Sequence, residues 1–376
     1  MLIGEKRVFV RFFTFESNCA TCILLRIYAK EGGTMPAVSV IIPIYQAKKY
    51  LEASVASMQR QLLRDIEIIL VDDGSTDGSG DICEAIARKD NRVRVIHQPN
   101  CGLGPARNAG LDAAKGEYLY FCDADDLMEP DLLSDNYSLA KETQADVVVF
   151  GAFFETVTPE GKTILESTTV PKLSGAYTRE ALWRILPDQG VLTMIWTRLF
   201  RREFLVENGI RSPSWIVNED AHVVYDVYAA PFRAIAFNQK AYYHYIRRSE
   251  SLSHKYRPQY AEDMYAGMVY SEDILRREKG DFPWMRGFIS RQYMISITMV
   301  MNNMAESPEL SFAQKTGILK DYCRRERTAA ALKAGTLGDM RQKSLQILFL
   351  LLRGGMYATA MWLGTVKKRR ANKKRV

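Results

Sequence analysis

Nowhere in these 376 residues is there an unbroken apolar run of the roughly 20 residues that a membrane-spanning helix needs. The strongest candidate, Leu345–Leu352, is short, and Arg353, Gly354 and Gly355 interrupt it before Met356–Val366, which would leave an arginine at mid-membrane. The six cysteines (Cys19, Cys22, Cys83, Cys101, Cys122 and Cys323) lack the spacing of a disulfide framework. Cys19 and Cys22 have redox or zinc spacing, but no second such pair and no matching histidine pair follows, so reduced thiols in a cytosolic protein are expected. There is no internal repeat, which excludes a solenoid. Nor is there a basic body. The net charge is +7, and Lys367, Lys368, Arg369, Arg370, Lys373, Lys374 and Arg375 account for all of it. Charge confined to a tail argues against a nucleic-acid-binding protein, which carries it on a folded face.

The first 34 residues also lack a signal peptide's apolar core and small-residue cleavage site. Lys30-Glu31-Gly32-Gly33 before Met35 is what a purine-rich ribosome-binding stretch would encode if translated, which makes Met35 the expected start. Mass spectrometry of the native N-terminus tests this, and a peptide from within residues 1–34 would refute it.

What is present is an alternation of strand and helix from Val38 to about Phe150. Strands are expected at Val38–Ile42 (closed by Pro43), Glu67–Val71, Val93–His97, Glu117–Cys122 and Val147–Phe150. Helices are expected at Lys48–Gln61, Gly78–Lys89 (capped by Thr76-Asp77), Pro105–Ala114 and Pro130–Thr143. Such spacing implies right-handed βαβ units around a mostly parallel sheet. Thr158–Ser174 reads as a loop or hairpin, Thr178–Leu186 and Trp196–Phe204 as helical or short mixed pieces, and Tyr260–Arg277, Trp284–Asn303 and Phe312–Arg327 as helices.

Two acidic clusters, Asp72-Asp73 and Asp123-Ala124-Asp125-Asp126, each follow a strand-like apolar run. Unpaired carboxylates at the tips of core strands are costly unless a cation and a polar ligand share the place. The expectation is a metal-bound, phosphate-rich substrate at the carboxyl edge of the sheet. A dinucleotide cofactor is excluded, because Gly102-Leu103-Gly104 is followed by Pro105-Ala106-Arg107 and the third glycine of that fingerprint is missing.

Val38–Tyr45 (VSVIIPIY), Val71–Asp77 (VDDGSTD), Gly104–Gly110 (GPARNAG) and Asp123–Asp126 (DADD) occur in the order and spacing of family 2 glycosyltransferases. The resemblance covers roughly residues 36–250 and is of the bacterial capsule, exopolysaccharide and lipopolysaccharide type. It implies a GT-A fold: an α/β, mostly parallel sheet flanked by helices, with a helical C-terminal region. The implied divisions are an extension over 1–34, a GT-A domain over 35–250, helices over 251–343 and an amphipathic, membrane-associating segment with a basic tail over 344–376.

The resemblance also implies roles. Asp125 is expected to hold Mg2+ or Mn2+, and Asp123 to accept from ribose hydroxyls. Asp72 and Asp73 would read the nucleoside, with Pro43 and Tyr45 as part of its wall. Arg107 and Asn108 either support the donor pocket or pair with nearby carboxylates. In Asn218-Glu219-Asp220, Asp220 is the expected base and Glu219 orients the acceptor. Trp196–Arg202 (WTRLFRR) resembles a W-x-K-L-[FY]-x-R segment, with Arg198 as a cation near the acceptor. In His244–Ser253, Arg247 or Arg248 would close over the diphosphate. The processive Q-x-x-R-W motif is lacking, so addition of a single sugar is expected.

The function implied is an inverting, metal-dependent glycosyltransferase. It would move one sugar from a nucleotide-diphosphate donor to a lipid-linked or oligosaccharide acceptor in cell-surface polysaccharide synthesis, peripheral on the inner face of the plasma membrane. Two rivals remain. A nucleotidyltransferase acting on sugar phosphates would need a glycine-rich loop with a basic residue soon after the first strand, which Pro43-Ile44-Tyr45-Gln46 lacks. A non-catalytic membrane scaffold would have no need of Asp125 and Asp220 together.

Overall fold

The computed structural model describes residues 35–158, 160–185, 193–214, 219–248, 256–277, 282 and 284–373, with side chains to 369. The 1–34 extension, the Cys19/Cys22 pair, Asn218 and Ser249–Ser253 lie outside the described residues.

The first half is built as the alternation predicts. β1 (Val38–Ile44), α1 (Leu51–Gln59), β2 (Ile66–Asp73), α2 (Ser79–Lys89), β3 (Val93–Gln98), α3 (Leu103–Ala113) and β4 (Tyr118–Phe121) follow in order. After them come β5 (Leu127–Met128), α4 (Leu132–Thr143), β6 (Val147–Val157), β7 (Thr163–Thr169), β8 (Gly175–Tyr177) and α5 (Arg179–Ile185). A single sheet runs in the order β3-β2-β1-β4, then β9 (Arg198–Arg201), β6, β10 (Ile235–Arg247) and β5, with β7 paired to β6 and β8 to β10. β1 is parallel to both β2 and β4, so the strand order reverses between β1 and β4. That switch point is where an open α/β sheet leaves a crevice at its carboxyl edge.

Every residue of β1 and β2 is buried, which explains their nearly unbroken apolar runs. β1 passes through Pro43 to Ile44 instead of stopping before it. The Ile41 carbonyl accepts from Cys122 N–H, so alternate residues, Pro43 included, face β4, whose ladder ends at Ile41–Phe121. The proline's missing N–H therefore leaves no bond unmade. α3 lies close on β1: a Cβ at Gly110 would come within 2.3 Å of Ile41 Cγ2.

Beyond Gly151 the sequence underestimates the strands. β6 continues to Val157 and forms an antiparallel hairpin with β7. Trp196–Phe204 resolves into a 3-10 turn (Ile195–Thr197), β9 inserted antiparallel between β4 and β6, and α6 (Arg202–Glu207). α7 (Glu219–Ala229) precedes β10.

The helical region holds α8 (Tyr260–Arg277), α9 (Met285–Met304), α10 (Phe312–Arg324), α11 (Glu326–Ala334), α12 (Lys343–Arg353) and α13 (Tyr357–Lys373). The helix expected over Phe312–Arg327 is cut at Arg325, whose ψ of 141° is extended. Gly355, at φ +72°, turns the chain between α12 and α13. Phe349, Leu352, Ala360 and Met361 are buried in the core, while Ile347, Leu350, Trp362 and Leu363 face outward. Among the described residues no helix is long and apolar enough to cross a membrane.

Candidate active site

β1, β2 and β4 end side by side at the switch point, and their tips carry Tyr45, Asp72-Asp73 and Asp123. Asp73 is buried, and its oxygens accept from Gln98 Nε2 (2.7 Å), Cys101 N (2.9 Å) and Gly102 N (2.8 Å). It thereby fixes the turn that opens α3. Asp72 accepts from Ser75 N at 3.0 Å and meets His97 Nδ1 at 2.9 Å, while His97 Nε2 lies 3.1 Å from Glu84. Burial opposes protonation of His97, but these hydrogen bonds to Asp72 and Glu84 outweigh it and raise its pKa. Asp77 accepts from Ser79 N and Lys48 N, which joins the start of α2 to the loop before α1.

α3 carries Arg107, whose side chain is only 2% exposed. Its guanidinium reaches three carboxylates: Asp220 at 2.7 Å, Asp123 at 3.3 Å and Glu219 at 3.4 Å. Burial disfavours the arginine's charge, yet Asp220, Asp123 and Glu219 together hold it firmly ionised. Of the two roles open for Arg107 in the sequence, pairing with carboxylates is the one that the geometry displays. Among the described residues its Nε has no hydrogen-bond partner. Asn108 makes a reciprocal pair with Ser212, through Nδ2 to the carbonyl at 2.8 Å and Oδ1 from the N–H at 2.9 Å. Gly104 permits this approach, since a Cβ there would fall 1.8 Å from the Pro213 carbonyl oxygen.

The carboxylates differ in electrostatics. Burial and the Asp220 charge push Glu219 up to about 7, against the pull of Arg107. Burial raises Asp123 to about 6, with Arg107 opposing and Asp220 and Asp125 adding. Asp125 is raised by burial and partly relieved by Arg248, 3.3 Å away. Asp126 is committed to the fold: it accepts from Tyr243 Oη at 2.6 Å and Ile246 N at 2.8 Å. Within the tetrapeptide Asp125 is thus the most accessible carboxylate, its side chain 42% exposed. No group of three or more metal-ligating side chains occurs among the described residues.

The two candidate arginines separate. Arg248 pairs with Asp125 and stacks 4.0 Å over the Tyr50 ring, while Arg247 pairs with Glu166 of β7 at 2.7 Å. Arg198 does not stand free as an acceptor-side cation. It is buried and bonds to the Met194 carbonyl and Thr197 Oγ1, bracing the turn before β9. Two features escaped the sequence reading. Trp196 stacks on Tyr243 (4.3 Å between centroids) and Tyr245 (5.6 Å), and Ile195 N donates to Asp220 Oδ2 at 3.3 Å. The available signal was the every-second-residue pattern Tyr243, Tyr245, Arg247, which puts all three on one face of β10. Pro43 lies buried and Tyr45, just past the end of β1, is 46% exposed.

Residues 39–207 match the family described as Glycosyl transferase family 2. The putative glycosyltransferase EpsH of Bacillus subtilis is 33% identical over 224 residues, 59% of this chain and 64% of that protein. The cholesterol galactosyltransferase of Borreliella burgdorferi is 32% identical over 222 residues, 57% of this chain and 62% of that protein. The chain thus spans somewhat under two thirds of the length of these relatives. The crystal structure of S. aureus TarS 1-349 in complex with UDP-GlcNAc superposes with a TM-score of 0.62 at 21% identity, over 89% of this chain and 92% of that one. The sheet with its strand-order switch point and the structural superposition agree on a GT-A fold, and residues 39–207 are similar to glycosyl transferase family 2.

Proposed function

We propose that the protein is an inverting, metal-dependent glycosyltransferase that moves a single sugar from a nucleotide-diphosphate donor to a lipid-linked or oligosaccharide acceptor. The observation that carries this reading is the Arg107 guanidinium, which ties the DADD edge to the Glu219-Asp220 pair through Asp123 and Asp220. This contact supports a shared site for the carboxylates assigned to donor and acceptor.

Asp125 is the residue suited to hold Mg2+ or Mn2+. A single accessible carboxylate fits a small, hard cation that takes its other ligands from water and the donor's phosphates. Such an ion, when bound, would neutralise charge developing on the leaving diphosphate. Arg248, already beside Asp125, is placed to contact that diphosphate, with Arg247 as its neighbour. Asp72, Asp73, Pro43 and Tyr45 frame the nucleoside subsite, and Asp123 faces the ribose. A carboxylate has about four acceptor positions, so Asp72 and Asp73 can join a base or ribose while keeping their framework bonds.

Asp220 is the proposed base, held by Arg107 and Ile195 N–H. Burial and the neighbouring Asp220 charge raise the proton affinity of Glu219. It can therefore either donate to or accept from an acceptor hydroxyl, which suits an orienting role. A peripheral position on the inner membrane leaflet is supported by the outward apolar side chains of α12 and α13 and the basic tail.

The test is a panel of nucleotide sugars, UDP-GlcNAc included, screened by thermal shift with and without Mg2+ or Mn2+, then by transfer with the best donor. Asp125→Ala and Asp220→Asn should abolish transfer and leave the fold intact. Full activity in either variant refutes the assigned role.

A further inference from the structure

The ladder between β2 and β3 sets His97 directly opposite Asp72. Both ring nitrogens of His97 face a carboxylate. Nδ1 lies 2.9 Å from Asp72 Oδ2, and Nε2 lies 3.1 Å from Glu84 Oε1 on α2. A neutral imidazole has one N–H and one lone pair, so it satisfies one of these contacts and is repelled at the other. The geometry is that of an imidazolium, which donates twice. The start of α2 is shaped around the pair. A Cβ at Gly80 would fall 2.8 Å from Asp72 Oδ2 and 3.5 Å from His97 Cε1, so glycine there leaves carboxylate and ring free to meet.

Asp72 and Glu84 are also the charges that raise the proton affinity of His97 against its burial. The other ionisable groups nearby are engaged or neutral. Cys83 of α2 is buried and its thiol is pushed up to about 12. Asp77, just before α2, accepts from Ser79 and Lys48 N–H, and Arg94 of β3 pairs with Glu67. On α3, which also packs beside β3, Arg107 holds its three carboxylates and Asp112 pairs with Arg211. The Glu84 side chain is 47% exposed and that of Asp72 only 8%. On deprotonation Glu84 can turn to water and Asp72 cannot, so the proton that leaves is the one on Nε2. Asp72 then keeps its hydrogen bond and loses its counter-charge.

We propose that His97 is a positioning residue of the donor site, an imidazolium that bridges Asp72 and Glu84 and balances the Asp72 charge where an anionic nucleotide binds. This rests on the reading of Asp72 as part of the nucleoside subsite and gives that subsite a pH dependence. A nucleoside diphosphate brings its own negative charge to the same strand tip, so affinity falls once His97 is neutral.

UDP, GDP and dTDP are the probes, titrated calorimetrically into the full chain from about pH 6.5 to about pH 9, a range that brackets the loss of a histidine proton with raised affinity. The His97 ring resonances are followed by NMR over the same range. Glu219, pushed up to about 7, ionises there too, so variants isolate His97. His97→Gln keeps a donor for Asp72 but carries no charge. It should bind the best nucleotide about threefold or more weakly than wild type at the acid end, and equally at the alkaline end. Glu84→Gln changes a half-exposed side chain and leaves the His97–Asp72 contact in place. It should move the His97 titration and the fall in affinity to lower pH together. A merely structural His97 would lower affinity in His97→Gln by one factor at every pH, and that result overturns the inference. So does a wild-type His97 that titrates at its ordinary 6.5, or a fall in affinity that ignores Glu84→Gln. Failure of all three nucleotides to bind at any pH overturns the nucleotide-donor reading, and this inference with it.

Discussion

Arg107 Nη1 lies 2.7 Å from Asp220 Oδ1, a contact between residues 113 positions apart that welds the start of α7 to α3. Replacing Arg107 with alanine strands Asp123, Glu219 and Asp220 together without a cation. Breaking a buried pair in this way costs about 3–5 kcal/mol. Arg107→Ala should therefore lower the unfolding midpoint in denaturant sharply. Arg107→Lys keeps the charge but loses the fork, so it should stay folded and lose transfer by about tenfold or more. Denaturant titration beside a rate assay separates the two, and wild-type behaviour in both variants would remove Arg107 from the site.

Glu219 makes stability depend on pH. Its proton affinity is raised to about 7 in the folded chain, from an ordinary value of 4.5. Between those values the folded protein holds a proton that the unfolded chain has released, so stability falls as pH rises from about 4.5 to about 7. Glu219→Gln should flatten that decline and raise the melting temperature at pH 8 by roughly 2–4 °C. Melting curves taken from pH 5 to pH 8 check it, and a steeper decline in the variant contradicts the assignment.

Asp125 should govern the response to divalent cations. In the wild type, Mg2+ or Mn2+ should tighten donor binding by about tenfold or more. In Asp125→Ala the cation should make no difference, while thermal stability without ligand stays within about 0.5 kcal/mol, as expected for a half-exposed side chain. Calorimetric titration of donor with and without metal reads both.

Gly104→Ala probes positioning at a distance. The new methyl group must displace Pro213, and with it the segment that Asn108 pins through Ser212. Misplacement by about 1 Å can lower turnover roughly a hundredfold. The expected signature is a fall in kcat with donor affinity retained. Loss of donor affinity alone would place the effect elsewhere.

Much of this arrangement was legible in the chain because the decisive features are local. Asp72-Asp73 and Asp123–Asp126 close apolar runs, and a carboxylate at that position points to a strand tip whatever else the fold does. The alternation through residue 150 set the parallel sheet for the same reason. What stayed open depends on contacts between distant segments. Whether Arg107 faces a ligand or a carboxylate is decided by residues more than a hundred positions away. Arg198 was expected as a cation near the acceptor because β9 is only four residues long and owes its strand geometry to β4 and β6 on either side. Pro43 looked like a terminator, and only the early end of the β4 ladder lets β1 run through it.

Asp73 spends its oxygens on the backbone just ahead of α3, the helix that presents Arg107. A lesion there should travel along α3 as a lever. Asp73→Asn is thus expected to register in donor recognition and in proton removal at once, two deficits from a single changed atom.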